Sequence, residues 1–277
     1  MADSHTYEVW GRCLRHPFTA AATGRCRRNA SGRMHFPGNL SAMGESRWCP
    51  GARFSRRLVV ALATMITTCP ALASEQEGWL ELFNGRDFSG WVIEGPAGGI
   101  ERPDGSPVWR VEDGEIVCAG NRWSFLRYVG RRFADFEFQV EFVMAAGGNS
   151  GVGIRTGAID LDDPQNSRPS CFCYEIQLLD DAGEPPSPFS SGSLYRYVAP
   201  KENAMRPAGE WNRLEISCRG PVIDVVFNGR KIHHFDQRTL EQTRHKPLEG
   251  HVCLQNHGHP VRFRNVRVRP LAVSSMP

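Results

Sequence analysis

Two short runs of this chain set a carboxylate, two amides and a guanidinium at alternating positions. Asn149 and Arg155 bracket the glycines of Gly147-Gly148-Asn149-Ser150-Gly151-Val152-Gly153-Ile154-Arg155, and Glu175 and Gln177 lie in Tyr174-Glu175-Ile176-Gln177-Leu178-Leu179-Asp180. Each run alternates small or polar residues with apolar ones, so each reads as a strand that buries one face and shows polar chemistry on the other. If the two strands are neighbours, Asn149, Arg155, Glu175 and Gln177 share a face. That set suits a sugar-like ligand better than a nucleic acid. Arg155 reads either as a structural partner of Glu175 or as a clamp for substrate hydroxyls.

Other side chains hold chemistry in a weaker pattern. His257 shares a face with Gln255 if alternation continues to Gly258, although a lone histidine more often packs or sits at the surface than catalyses. His233 and His234 are adjacent and point oppositely, which reads as a surface pair on an edge strand, and His259 reads as a solvent-exposed turn residue. Asp180 and Asp181 end the Glu175 strand, where they serve either a divalent cation together with loop carbonyls or ordinary turn chemistry. Cys171-Phe172-Cys173 lacks the spacing of a zinc site and reads as buried small hydrophobes. No dinucleotide fingerprint, phosphate-loop lysine motif or His-Glu-x-x-His helix is present. The glycines at 147–153 lead into a strand, so they lack the helix N-terminus a phosphate needs, and close backbone approach explains them better.

The elements that must carry these groups are strands. Phe136-Glu137-Phe138-Gln139-Val140-Glu141-Phe142-Val143-Met144 is apolar at every even position up to 144, and a helix would scatter its phenylalanines around the circumference. Asn84-Gly85, Asp113-Gly114 and Asn228-Gly229 each stand between apolar runs and predict tight hairpins. The segment 180–193 is dense in Pro, Gly and Ser and predicts a long loop leaving the end of the site strand. Segments 250–258 and 261–268 read as a closing pair of strands. A parity switch after Phe263 predicts a bulge near Arg264-Asn265. About a dozen short strands and no recurrent long period predict an antiparallel two-sheet sandwich.

Charge is unevenly placed. Residues 1–57 carry ten Arg against Asp3, Glu8 and Glu45, which leaves 23 basic and 27 acidic side chains in the remainder. That balance offers no general phosphate-binding surface, so no nucleic acid partner is expected. Arg262, Arg264, Arg267 and Arg269 read as a solvated edge. Residues 1–53 show no apolar periodicity and read as disordered or as a mis-assigned extension. Arg56-Arg57, the apolar run 58–66 and Ala71-Leu72-Ala73 read as an export signal over 54–73. The run is too short for a permanent membrane span, and the mature domain is expected at 74–277, periplasmic or extracellular.

Six motifs in order resemble the 3-keto-disaccharide hydrolase domain family: Leu82-Phe83-Asn84-Gly85-Arg86-Asp87-Phe88-Ser89-Gly90-Trp91, Gly147-Gly148-Asn149-Ser150-Gly151, Tyr174-Glu175-Ile176-Gln177, Pro207-x-Gly209-Glu210-Trp211-Asn212, Val226-Phe227-Asn228-Gly229, and Leu254-Gln255-Asn256-His257-Gly258 followed by Val261-x-Phe263-Arg264-Asn265-Val266. The resemblance spans 78–271. It implies a concanavalin A-like jelly roll that cleaves glycosides carrying a ketone at C3. Glu175 or His257 would then act as base and acid, with Asn149, Arg155, Gln177, Tyr195 and Gln255 on the substrate. A divalent cation would be an optional cofactor, and the partner would be an oligosaccharide or other glycoside. Arg196 replaces the small residue usual after the tyrosine of Gly192-x-x-Tyr195. The site strand also resembles the Glu-x-Asp-x-x-Glu triad of jelly-roll endoglucanases, but Gln177 and Asp180 replace its second and third members, so retaining hydrolysis lacks its carboxylate pair. The alternative reading is a non-catalytic carbohydrate-binding module, served by exposed aromatics such as Trp123 or Tyr195.

Overall fold

The even residues of Phe136–Met144 are all buried and the odd ones half-exposed, so this strand has one dry and one wet face. The computed structural model describes residues 78–160 and 169–272. The expected extension at 1–53 and export signal at 54–73 lie outside the described residues. In chain order the elements are β1 (Leu80–Glu81), β2 (Trp91–Glu94), the short helix α1 (Ala97–Ile100), β3 (Trp109–Glu112), β4 (Glu115–Cys118), β5 (Ser124–Tyr128), β6 (Phe136–Met144) and β7 (Asn149–Thr156). They continue with α2 (Pro169–Phe172), β8 (Tyr174–Leu179), β9 (Asn212–Arg219), β10 (Val222–Phe227), β11 (Arg230–Asp236), β12 (His251–Asn256) and β13 (Val261–Pro270).

The strands form two antiparallel sheets, the sandwich expected from the sequence. The larger runs β11-β10-β9-β6-β13-β4-β3 with β1 also on β13, and the smaller runs β2-β5-β12-β7-β8. Phe136, Phe138, Phe142, Leu214, Ile216 and Phe263 of the larger sheet belong to one apolar core with Leu126, Val152, Ile154, Ile176 and Leu254 of the smaller. Full burial of each such side chain stabilises the fold by about 1.5–3 kcal/mol.

Two predicted hairpins hold and two pairings do not. β3 and β4 pair across Asp113-Gly114, and β10 and β11 across Asn228-Gly229, whose φ angles of 49° and 80° are the left-handed pair a two-residue turn needs. Asn84-Gly85 does not close a hairpin: β1 pairs with β13 and β2 with β5, so the chain changes sheets there. Likewise β12 and β13 do not pair with each other. β12 lies between β5 and β7, and β13 between β6 and β4.

The expected bulge lies between Arg264 and Arg267, with Asn265 at φ 52°. It has a consequence that alternation alone does not give. Arg262 and Arg264 precede the extra residue and Arg267 and Arg269 follow it, so the parity change brings all four to one wet face. There they meet Glu115, Glu141, Gln139 and Glu137. This corrects the reading of a solvated edge: β13 is an interior strand, and its guanidinium groups are matched on the strands beside it.

His233 is also a correction. It is buried, and its Nε2 donates to the Gly192 carbonyl at 2.8 Å, tying β11 to the 180–198 segment. Burial holds its imidazole below the ordinary value of 6.5, with Lys201 adding to the effect. The folded state therefore resists protonation more than the unfolded chain does. The stability this contributes is complete above pH 6.5 and is lost as the pH falls from 6.5 towards the depressed folded value. We expect the denaturant midpoint to fall between pH 7 and pH 5, and the His233→Gln variant, which keeps a donor without titrating, to show a shallower fall over the same range.

Candidate functional site

Glu175 and Gln177 project from β8 to the outer face of the smaller sheet, because Tyr174, Ile176 and Leu178 take the core face. Unlike the wet face of β6, this face is covered: Glu175 is 4% exposed, Gln177 3% and Gln255 5%. β7 supplies only glycine between the polar residues of its two neighbours. Gly151 lies between Gln255 and Gln177 in register, and Gly153 between Cys253 and Glu175. Side chains on β12 and β8 are two strand spacings apart, about 9–10 Å. They meet only because no Cβ stands between them. A Cβ on Gly151 would lie 2.8 Å from Glu175 Oε1, and one on Gly153 would lie 2.9 Å from Pro169 Cγ of α2.

Across this trough Gln255 Nε2 donates to Glu175 Oε1 at 2.6 Å. Gln177 Nε2 donates to Asn149 Oδ1 at 3.3 Å. Thus Asn149, Glu175, Gln177 and Gln255 come together, as the alternation and the resemblance had indicated. Tyr195 joins them from outside the sheet. Its N–H donates to the Glu175 carbonyl at 2.9 Å beside the bridge between Ile176 and Leu194, so this segment extends the β8 edge. Ile176 and Leu194 both face the core, which sets Tyr195 on the Glu175 face. His257 follows the last residue of β12 on the same parity and is exposed, its ring stacked against His259 with centroids 6.4 Å apart.

Arg155 does not join them. It stands at φ 55° in the irregularity where four residues of β7, Gly153 to Thr156, face three of β12, His251 to Cys253. This bulge removes its side chain from the Glu175 face. The guanidinium is wholly buried, donates to the Ala134 carbonyl at 2.8 Å and lies 3.8 Å from Asp135. The expected place of Arg155 beside Asn149, Glu175 and Gln177 is corrected: strict alternation fails where one residue is inserted.

The site is shielded from water, with Glu175, Gln177 and Gln255 all buried. Burial drives the Cys253 and Cys173 thiols well above their ordinary range, and the nearby Glu175 charge adds to both. Neither is suited to act as a thiolate nucleophile. Burial likewise pushes the Cys118 and Cys218 thiols up to about 12. All five cysteines of the described residues are free. Cys173 is buried as expected, whereas Cys171 is half-exposed within α2. Asp180 and Asp181 make the contacts of strand-end turn chemistry. Asp180 Oδ2 accepts from the Gly147 amide and Asp181 Oδ2 from the Ser191 amide, each at 2.8 Å. Among the described residues no group of three His, Cys, Asp or Glu is placed to hold a metal ion. No helix of the described residues is long and apolar enough to cross a membrane.

One contributor escaped sequence reasoning. Ser193, in the same segment as Tyr195, lies opposite Gln177, whose N–H donates to the Ser193 carbonyl at 3.1 Å. A serine in a loop rich in Pro, Gly and Ser carries no signal that it will pair with a sheet edge.

Comparison with known proteins agrees with this architecture. A 3-keto-disaccharide hydrolase of Bacteroides thetaiotaomicron is 25% identical over 248 residues, covering 72% of this chain and 81% of that protein. The crystal structure of a candidate glycosyl hydrolase from Parabacteroides distasonis superposes with a TM-score of 0.58 at 26% identity, over 72% of this chain and 97% of that one. A second such structure from the same species has a TM-score of 0.55 at 23% identity, over 70% and 99% of the two chains, a likeness of fold. The family model of the 3-keto-alpha-glucoside-1,2-lyase-like domain matches residues 78–269, and the chain belongs to that family.

Proposed function

We propose that this domain cleaves 3-keto-glycosides, 3-keto-disaccharides among them, by base-assisted elimination followed by hydration. The observation that carries the reading is the Glu175 carboxylate, buried on a glycine trough and held by an amide on the next strand but one. Family membership and the name of the Bacteroides relative support the substrate class. A ketone at C3 acidifies the proton on C2. Glu175 removes that proton, the electron pair passes into the enolate of the C3 ketone, and collapse of the enolate forms the C1–C2 double bond as the bond from C1 to the leaving oxygen breaks. His257, at the rim, donates the proton that the departing alkoxide needs. Water then adds at C1 while a proton returns to C2, so the net change is hydrolysis. Asn149, Gln177, Tyr195 and Gln255 bind hydroxyls, and their fixed donors stabilise the enolate. Export through the signal at 54–73 belongs to the same proposal, because a periplasmic or extracellular enzyme meets glycosides directly.

A second reading, a sugar-binding module without turnover, draws on Trp123. This indole is 38% exposed and packs edge-on against Phe125 with centroids 6.0 Å apart. Phe125 in turn is paired in register with Gln255, so Trp123 stands on the outer face near the site, as a sugar-stacking ring would. One assay separates the two. The purified domain is incubated with 3-keto and unoxidised disaccharides while free sugar is followed. Release from the keto substrate alone is the expected result, and binding of both without release would favour the module.

Gly151→Ala offers a test that leaves every polar group present. Its Cβ would overlap the Glu175 carboxylate, whereas the backbone at 151 needs no left-handed φ. Displacing the base by about 1 Å should lower kcat/KM roughly 10²-fold. Circular dichroism should show the fold retained, and an unchanged kcat/KM would count against Glu175 as the base.

A further inference from the structure

Two buried polar atoms without a partner stand on either side of β8, on the face that carries Glu175 and Gln177. Gln255 gives its amide hydrogens towards Glu175 and leaves Oε1 buried with no hydrogen bond. With Glu175 ionised, as the proposed base must be, the amide cannot be turned round, because exchange of its ends would set two acceptor oxygens 2.6 Å apart. On the other side, Ser193 is wholly buried and its Oγ has no partner either. Ser193 neighbours the core-facing Leu194 in the segment that extends β8, which places it with Tyr195 on the Glu175 and Gln177 face.

The neighbouring serines behave differently. Ser190 Oγ donates to the Ser187 carbonyl at 2.9 Å, and Ser191 Oγ donates to the Leu179 carbonyl at 2.7 Å. Those two hydroxyls tie the loop, and the third is left over. A buried hydroxyl or carbonyl without a partner destabilises the fold, so folds retain few of them. Two on one face fit a ligand rich in hydroxyl groups.

We infer that Gln255 Oε1 and Ser193 Oγ read two different hydroxyls of the sugar, one on each side of β8, and so set which sugars the site accepts. This rests on the sugar site proposed above. Gln255 Oε1 can only accept, so it takes a free O–H and rejects a ring methylated or acylated at that position. Ser193 Oγ can accept or donate, and its burial leaves no room for a substituent there. Gln255 also holds Glu175 and is thus a positioning residue as well as a reader.

The test is a cycle between protein and ligand. A 3-keto disaccharide, its unoxidised counterpart and analogues each lacking one hydroxyl are measured with the wild type, Gln255→Met, Ser193→Ala and Ser193→Thr. Affinity is read by calorimetry and kcat/KM by sugar release. In the wild type, loss of a hydroxyl at each of two positions should weaken binding about tenfold. Ser193→Ala should erase the penalty at one position only, Gln255→Met at the other only, and Ser193→Thr should restore the first. Equal penalties in all four proteins would assign both atoms to water and overturn the inference. Position-specific binding penalties without turnover would sustain it and sink the elimination chemistry. Absence of any sugar binding would sink both.

Discussion

Glu175→Gln is expected to lower kcat on a 3-keto disaccharide about 10²–10⁴-fold, the range a positioned general base supplies. The substitution keeps shape and volume. Gln255 can still donate to the new side chain's carbonyl oxygen across Gly151, so the trough should stay packed. KM should change by less than about threefold, because hydroxyl binding is left to Asn149, Gln177 and Gln255. Steady-state kinetics on the keto substrate and calorimetry on the unoxidised sugar would decide it. Retention of kcat with a raised KM would reassign Glu175 from proton transfer to binding.

Arg155→Ala should be the most destabilising single change near the site, and its effect should be on folding rather than recognition. Removal of the guanidinium leaves Asp135 in the interior with a lost partner and frees the Ala134 carbonyl. Breaking a buried pair in this way costs about 3–5 kcal/mol. For a domain of this size each kcal/mol lowers the melting temperature by roughly 2–4 °C, so thermal unfolding should shift by about 6–20 °C. Asp135 Oδ1 also accepts from the Gly220 amide at 2.7 Å, so the loss should spread to the β9–β10 turn. At low temperature the protein that remains folded should bind substrate with a KM close to wild type. A variant with normal thermal unfolding and a raised KM would return Arg155 to the sugar.

The contrast between Glu175 and Arg155 shows what is legible locally. Both occupy odd positions in runs of alternating polarity, and alternation placed Glu175, Gln177 and Asn149 correctly, because the pleat sends successive side chains to opposite faces whatever the partner strands are. Arg155 lies beyond a bulge that has no composition of its own. Its left-handed φ carries a cost for a non-glycine residue, which pairing with Asp135 and Ala134 offsets. The four arginines of β13 repeat the lesson with the opposite outcome. There the parity switch was visible in the apolar residues, so the bulge was predictable even though the strand's interior position was not.

By itself the sequence determined the strands, two of the tight turns, the glycine trough and the carboxylate within it, because each depends on side-chain types a few residues apart. Tertiary structure decided the rest. Only the order β12-β7-β8 brings Gln255 across two glycines to Glu175, and only the pairing of the 193–195 segment with β8 brings Ser193 and Tyr195 to the same face. It also sent β12 and β13 to different sheets and buried His233 against Gly192. These contacts join residues tens of positions apart. Their existence follows from which strands pair and in what register, a choice made by burial over the whole core and not by any local pattern.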